Sequence, residues 1–140
     1  MSSRVGVVIV THYRLGEEFL QALQLIVPDG QRFHAVSIDP KQTVDEMRRA
    51  VSEALAAADE GEGVLVLTDM FGGTPSNISL SFLRDRRVEV VTGVNLPMLI
   101  KLATLSERKP LEELAPFIKS YGQRNISVAS ELLPEGRGGS

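Results

Sequence analysis

An open α/β sheet of four parallel strands, with helices on both faces, is the fold class this sequence predicts. Two observations carry that expectation. Four short runs rich in valine and isoleucine (Val5 to Val10, Phe33 to Ile38, Val64 to Leu67 and Val88 to Val91) alternate with segments of helical period. Such strand–helix alternation is the pattern of a parallel sheet wound through crossover helices. Three of the runs are almost continuously apolar, as strands covered on both faces are.

The helices follow in order between the strands. Phe19, Leu23 and Ile26 mark one face, with Leu20 and Val27 beside it. A capping box at Thr43 and Glu46 opens a second helix along Val44, Met47, Val51, Leu55 and Ala58. Thr74-Pro75 reads as an N-cap followed by proline at the first helical position, leading to Ile78, Phe82 and Leu83. Pro97 opens a fourth helix through Leu99, Ile100 and Ala103. Pro110 opens a fifth through Leu111, Leu114 and Ile118, where Pro116 is expected to kink or restart it and Gly122 to end it. Ile126 and Val128 suggest a short final strand. The 140 residues and 43% hydrophobic content suit one core. The domain is expected over residues 1–133, with a frayed glycine-rich tail over 134–140.

Composition closes several function classes. Fifteen Lys and Arg against 18 Asp and Glu give a net charge of −3, so there is no basic field for nucleic acid or an anionic membrane. The apolar runs fall far short of the roughly 20 residues a membrane helix needs. Met1-Ser2-Ser3-Arg4 leads straight into a strand without the layout of a signal peptide. The absence of cysteine excludes thiolate catalysis, disulfides and cysteine-ligated metal, and a cytoplasmic setting is the default expectation. No G-x-G-x-x-G follows the first strand, and neither G-x-x-x-x-G-K-[ST] nor G-x-S-x-G occurs. No acidic or histidine cluster has metal-ligand spacing, so a site without metal or cofactor is expected.

In open α/β sheets ligands bind beyond the carboxyl ends of the strands. There the first strand ends in Thr11-His12 and the third in Thr68-Asp69, followed by Met70-Phe71-Gly72-Gly73-Thr74-Pro75-Ser76-Asn77. A neutral imidazole is a nucleophile through one nitrogen when a carboxylate holds the proton of the other. Glycines let backbone N–H groups approach an anion, and a helix N-terminus and the Thr74 hydroxyl add to the cradle. His12 and Asp69 are therefore the candidate catalytic pair, with Gly72, Gly73 and Thr74 around phosphoryl oxygens. Asp69 also has a plainer role in capping a turn and the glycine pair in making one, while Met70-Phe71 is either core or an exposed docking patch and is read as core. His34 lies at the wrong end of its strand and is read as structural. Arg84-Asp85-Arg86-Arg87 reads as a solvated helix end and loop.

Three segments resemble the mannose-family EIIA, a phosphocarrier domain of the bacterial phosphoenolpyruvate-dependent sugar phosphotransferase system. They are Val7 to His12, Leu67 to Asn77, and Val91 to Leu99. The resemblance implies that His12 takes a phosphoryl group from phospho-HPr and passes it to a separate EIIB protein. It implies that Asp69 orients His12 and that Gly72, Gly73 and Thr74 hold the phosphoryl oxygens. Thr11, Thr68, Phe71, Asn95, Leu96 and Pro97 would then line the pocket. It also implies a homodimer in which a C-terminal strand, here Ile126 to Ala129, is exchanged. Two departures stand out. Tyr13 follows the histidine where many relatives have glycine, crowding the rim, and Ser76 replaces a common aromatic, altering the expected partner surface. Thr74 replaces a common serine and keeps the hydroxyl. A related branch, the phosphotransfer subunit of dihydroxyacetone kinases, also places a histidine after its first strand, but the Gly72 to Pro75 turn fits the mannose type better.

Two other readings stay open at this level. In one, His12 phosphorylation controls partner binding without sugar transport, since adding about −1.5 to −2 of charge changes an interface. In the other, Asp69 is the phosphorylated residue of a receiver-like domain, which lacks its expected acidic pair because His12 stands there.

Overall fold

The computed structural model describes residues 4–29, 32–84 and 87–133. The elements run β1 (Gly6–His12), α1 (Leu15–Ile26), β2 (His34–Ile38), α2 (Val44–Ala58), β3 (Val64–Thr68), α3 (Thr74–Leu80), β4 (Val88–Thr92), α4 (Leu96–Thr104), α5 (Leu111–Arg124) and α6 (Ala129–Leu132). The four strands are all parallel, in the order β2-β1-β3-β4. The expected open sheet is therefore present.

Alternation along the strands builds two cores. Val7, Ile9, Leu65 and Leu67 face Leu23 of α1, Met98 and Leu99 of α4, and Ile118 of α5. Val8, Val10, Val64 and Val66 face Met47, Val51 and Leu55 of α2, with Ile78 of α3 and Phe82 beyond it. Ile9, Leu65, Leu67 and Val51 are fully buried, and each such side chain contributes about 1.5–3 kcal/mol of transfer free energy. The chain leaves β1 through α1 on the first face and leaves β3 through α3 on the second. Winding thus reverses between two neighbouring strands, which opens a crevice at their carboxyl ends.

The caps that fix these helices are partly those expected. Thr43 Oγ1 accepts from the Glu46 N–H at 3.1 Å, and Glu46 Oε1 accepts from the Thr43 N–H at 2.8 Å. Asn95 caps α4, its Oδ1 accepting from the Met98 N–H at 3.1 Å. α3 differs: Gly73 is its N-cap and Thr74-Pro75 form its first two positions. Proline is tolerated at either position because first-turn N–H groups have no intrahelical partner. α3 is also short, and Phe82 and Leu83 lie in the turns that follow it, Phe82 still buried.

Two expectations for the C-terminal third are corrected. α5 runs unbroken through Pro116. That proline is exposed and one turn from the helix start, so its missing N–H falls on the watered side while Leu111, Leu114 and Ile118 hold the helix down. Gly122 does not end α5 but lies buried within it, where a Cβ would come 2.6 Å from Met98 Sδ. Its role is to let α4 and α5 close up, and its carbonyl accepts from Asn95 Nδ2 at 3.1 Å. The residues expected as a final strand, exchanged between two copies, pair with no strand among the described residues of one chain. Ile126 and Val128 are exposed, and Ala129 already belongs to α6. A strand needs a ladder partner, and an exchanged strand would find its partner on a second copy.

β2 begins at His34, at the edge of the sheet opposite to His12. Arg87, the end of the basic run, pairs with Glu112 at 3.0 Å. Hydrogen bonding from its own backbone, and then that contact, lowers the Glu112 carboxyl below its usual range. Asp85, Arg86 and the tail over 134–140 lie outside the described residues. No described helix is long and apolar enough to cross a membrane.

Candidate active site

β1 pairs with β3 only as far as Val10 opposite Thr68. His12 and Asp69 therefore both project past the shared carboxyl edge, side by side at the reversal of winding. The His12 backbone N–H donates to Asp69 Oδ2 at 3.0 Å, and His12 Nδ1 lies 2.8 Å from the same oxygen. An ionised carboxylate only accepts. In the neutral ring the proton must then be on Nδ1, which leaves the lone pair on Nε2.

Burial divides the pair by role. The His12 side chain is 49% exposed and the Asp69 side chain 11%, so the ring faces solvent while the carboxylate is largely buried. Asp69 Oδ1 is buried without a hydrogen-bond partner among the described residues, as is Ser76 Oγ. A buried polar atom left unpaired costs about 1–3 kcal/mol, which marks this end of the fold as tuned for something other than stability.

The loop after Asp69 shapes the space around Nε2. Gly72 turns it with φ +94°. Gly73 then passes so close to the imidazole that a Cβ there would lie 2.7 Å from Cε1 and 3.0 Å from Nε2. No side chain caps the α3 N-terminus at Gly73, and Thr74 beside it is exposed. Met70 and Phe71, expected as core, are 53% and 71% exposed. They sit on a loop beyond the sheet edge, where neither helix layer extends to cover them.

The expected pocket residues are distributed differently from one another. Thr11 and Thr68 are buried, and their hydroxyls serve the backbone: Thr11 Oγ1 accepts from the Gly16 N–H at 2.7 Å, and Thr68 Oγ1 donates to the Met70 carbonyl at 3.4 Å. Asn95 is committed to the α4 cap and to Gly122. It lines a hollow of about 260 Å³ with Thr92, Lys119 and Ile126 that does not include His12 or Asp69. Leu96 and Pro97 are half-buried at the start of α4, Leu96 against the first core. Phe71 alone of the set stands at the open rim. Ser76, expected at the partner surface, is fully buried.

A larger cavity of about 410 Å³ opens at the far end of the sheet, between Phe33, His34, Leu105 and Pro110. Its volume does not make it the reactive site. Of the cations that line it, Arg32, Arg108 and Lys109 are already paired with Glu60, Glu62 and Glu107, at 3.6, 3.7 and 3.6 Å. Among the described residues no three His, Cys, Asp or Glu side chains gather as a metal-holding group. The feature least visible beforehand is the contact of Gly73 with the ring, because only the folded loop brings residues 12 and 73 together.

This is a doubly wound α/β protein with one oriented, solvent-facing imidazole at its topological switch point. Residues 6–119 match the model of the mannose-type EIIA family, described as the PTS system fructose IIA component, and the chain belongs to that family. It is thus an EIIA component of the sugar phosphotransferase system, and such components act as phosphotransferases. The fructose-specific EIIA component of Bacillus subtilis is 30% identical over 92% of this chain and 89% of its own length. The sorbose-specific EIIA component of Lacticaseibacillus casei is 27% identical, over 91% of this chain and 92% of its own. Among solved structures, the mannose/sorbose-specific IIA subunit from Enterococcus faecalis superposes with a TM-score of 0.81 at 28% identity, covering 90% of this chain and 95% of that one.

Proposed function

We propose that this chain is a phosphocarrier that accepts a phosphoryl group from phospho-HPr on His12 Nε2 and hands it to an EIIB protein. The observation that carries the reading is the 2.8 Å contact of Nδ1 with Asp69, which leaves Nε2 as the basic nitrogen. In the forward step the P–N bond on the donor imidazole breaks, and its electron pair stays with that ring. The Nε2 lone pair forms the new P–N bond, and the Nδ1 proton stays against Asp69, which offsets the positive charge growing on the ring. Transfer between two imidazoles needs little beyond positioning and charge stabilisation. Gly72, Gly73 and Thr74 supply backbone N–H groups and a hydroxyl for the phosphoryl oxygens.

The decisive experiment incubates the protein with phosphoenolpyruvate, Enzyme I and HPr and weighs it intact. One acid-labile phosphoryl group per chain is expected. A folded protein that gains none from an HPr shown to be active would overturn the reading. Asp69→Asn is expected to slow phosphorylation on the order of 10²-fold without abolishing it, since orientation and charge support are lost but the nucleophile remains. An unchanged rate in stopped-flow quench measurements would remove Asp69 from the mechanism.

The chain is further proposed to form a homodimer in which residues 126–129 add to the sheet of a second copy. Among the described residues β4 pairs only with β3, and exposed Ile126 and Val128 lie just past α5. Such a free edge next to an unpaired apolar segment favours strand addition. Sedimentation equilibrium should then give twice the 15.3 kDa of one chain; a monomer at every concentration tested would count against it.

A further inference from the structure

Tyr13 is, among the described residues, the one non-glycine residue with positive φ, at 48°. The turn itself is required. The Tyr13 N–H donates to the Ile38 carbonyl at 2.7 Å. Thr11 Oγ1 donates to the Tyr13 carbonyl at 3.4 Å and accepts from the Gly16 N–H. Together these fold β1 over into α1 within two residues. Glycine makes such a turn without steric cost, whereas a tyrosine Cβ crowds the backbone.

Nothing inside the fold compensates for that crowding. The side chain is 61% exposed, belongs to neither core, and makes no hydrogen bond or ring contact among the described residues. Strain kept at a site without a structural return is a sign of use. Position says what the use is. Tyr13 leans on β2, Phe71 stands on the loop after β3, and His12 of β1 lies between them. A phosphorus atom delivered to Nε2 must come within about 3–3.5 Å of it. A protein that carries its phosphoryl group on a surface histidine must therefore press its own face against whatever flanks the ring.

We propose that Tyr13 is a partner-contact residue. Its ring and that of Phe71 grip the phosphohistidine-bearing donor protein from opposite flanks of His12, and the strained backbone at Tyr13 is maintained for that contact. Exposed aromatic side chains are frequent anchors of such interfaces. The occupant is a protein with an apolar face around its phosphohistidine, because a small phosphoryl donor would reach Nε2 without touching either ring. The inference rests on the phosphocarrier reading.

The test compares wild type, Tyr13→Gly and Tyr13→Phe in thermal unfolding and in initial-rate phosphorylation over a range of phospho-HPr concentrations. Tyr13→Gly is expected to melt higher, by about 4 °C, while its KM for phospho-HPr rises about tenfold with kcat retained. Tyr13→Phe should keep both the wild-type melting point and the wild-type KM. Wild type that phosphorylates normally, beside a Tyr13→Gly variant of unchanged KM, overturns this inference alone. A Tyr13→Gly variant that melts lower overturns it too, because the ring would then be structural. Wild type that takes no phosphoryl group overturns the functional reading and this one with it.

Discussion

Alanine at His12 is expected to leave a folded chain that takes up no phosphoryl group. The side chain is half-exposed and lies past the last β1–β3 pair, so little packing is lost with it. Asp69 Oδ2 keeps the residue 12 backbone N–H as a donor. The carboxylate is therefore not stranded, and the cost in stability should stay within about 1 kcal/mol. Transfer has no such reserve. His34, the second histidine of the chain, starts β2 at the opposite edge and cannot stand in. Intact mass after incubation with phosphoenolpyruvate, Enzyme I and HPr reads the outcome directly, with circular dichroism melting as the control for folding. A His12→Ala protein phosphorylated at wild-type yield would place the acceptor elsewhere and dissolve the proposed mechanism.

Gly73→Ala carries the second large effect, and for a different reason. The Gly73 backbone, at φ −90° and ψ 176°, is one that alanine adopts freely. Were there room, the substitution would even stabilise the fold by about 0.4–1 kcal/mol through the unfolded chain. There is no room: the new Cβ would sit 2.7 Å from Cε1 and 3.0 Å from Nε2 of His12. Either the imidazole leaves its bond to Asp69 or the loop shifts away, and both misplace the phosphoryl oxygens relative to their donors. A displacement near 1 Å costs about 10²-fold in rate. The expectation is thus a melting point within a few degrees of wild type and phosphorylation slowed about 100-fold, measured by rapid quench. Wild-type rates in the alanine variant would mean that the ring and loop adjust freely, and that the close approach does not shape the site.

Much of this was open to reading along the chain. The valine-rich runs announced strands covered on both faces, because burial on two sides leaves no position for a polar residue. Thr43 and Glu46 announced the start of α2, because a capping box is satisfied within four residues. His12 and Asp69 stood out because a strand's end in such a sheet is where side chains meet ligands. In each case the physics is local or follows from the period of the pattern.

What failed to show was decided at longer range. Gly122 has the composition of a helix stop, yet α5 continues past it because Met98, on another helix, needs the space. Pro116 breaks a helix in isolation but not one pinned on both sides of it by Leu114 and Ile118. Met70 and Phe71 look like core because they are apolar, and they are exposed because the loop that bears them lies beyond both helix layers. Ile126 and Val128 have the composition of a strand, yet within one chain they pair with no strand among the described residues, since a ladder partner is a matter of tertiary or quaternary contact.

The sequence by itself determined the alternation of elements, most helix starts and the candidacy of His12 and Asp69 at two strand ends, since these depend on side chains acting over a few residues. Only the tertiary structure decided that β1 lies beside β3, that Asp69 meets the Nδ1 side of His12, and that Gly73 closes on the Nε2 side. Those are distances between residues 57 and more positions apart, and no periodicity encodes them. They exist because strand pairing and the reversal of winding bring two carboxyl ends to one edge.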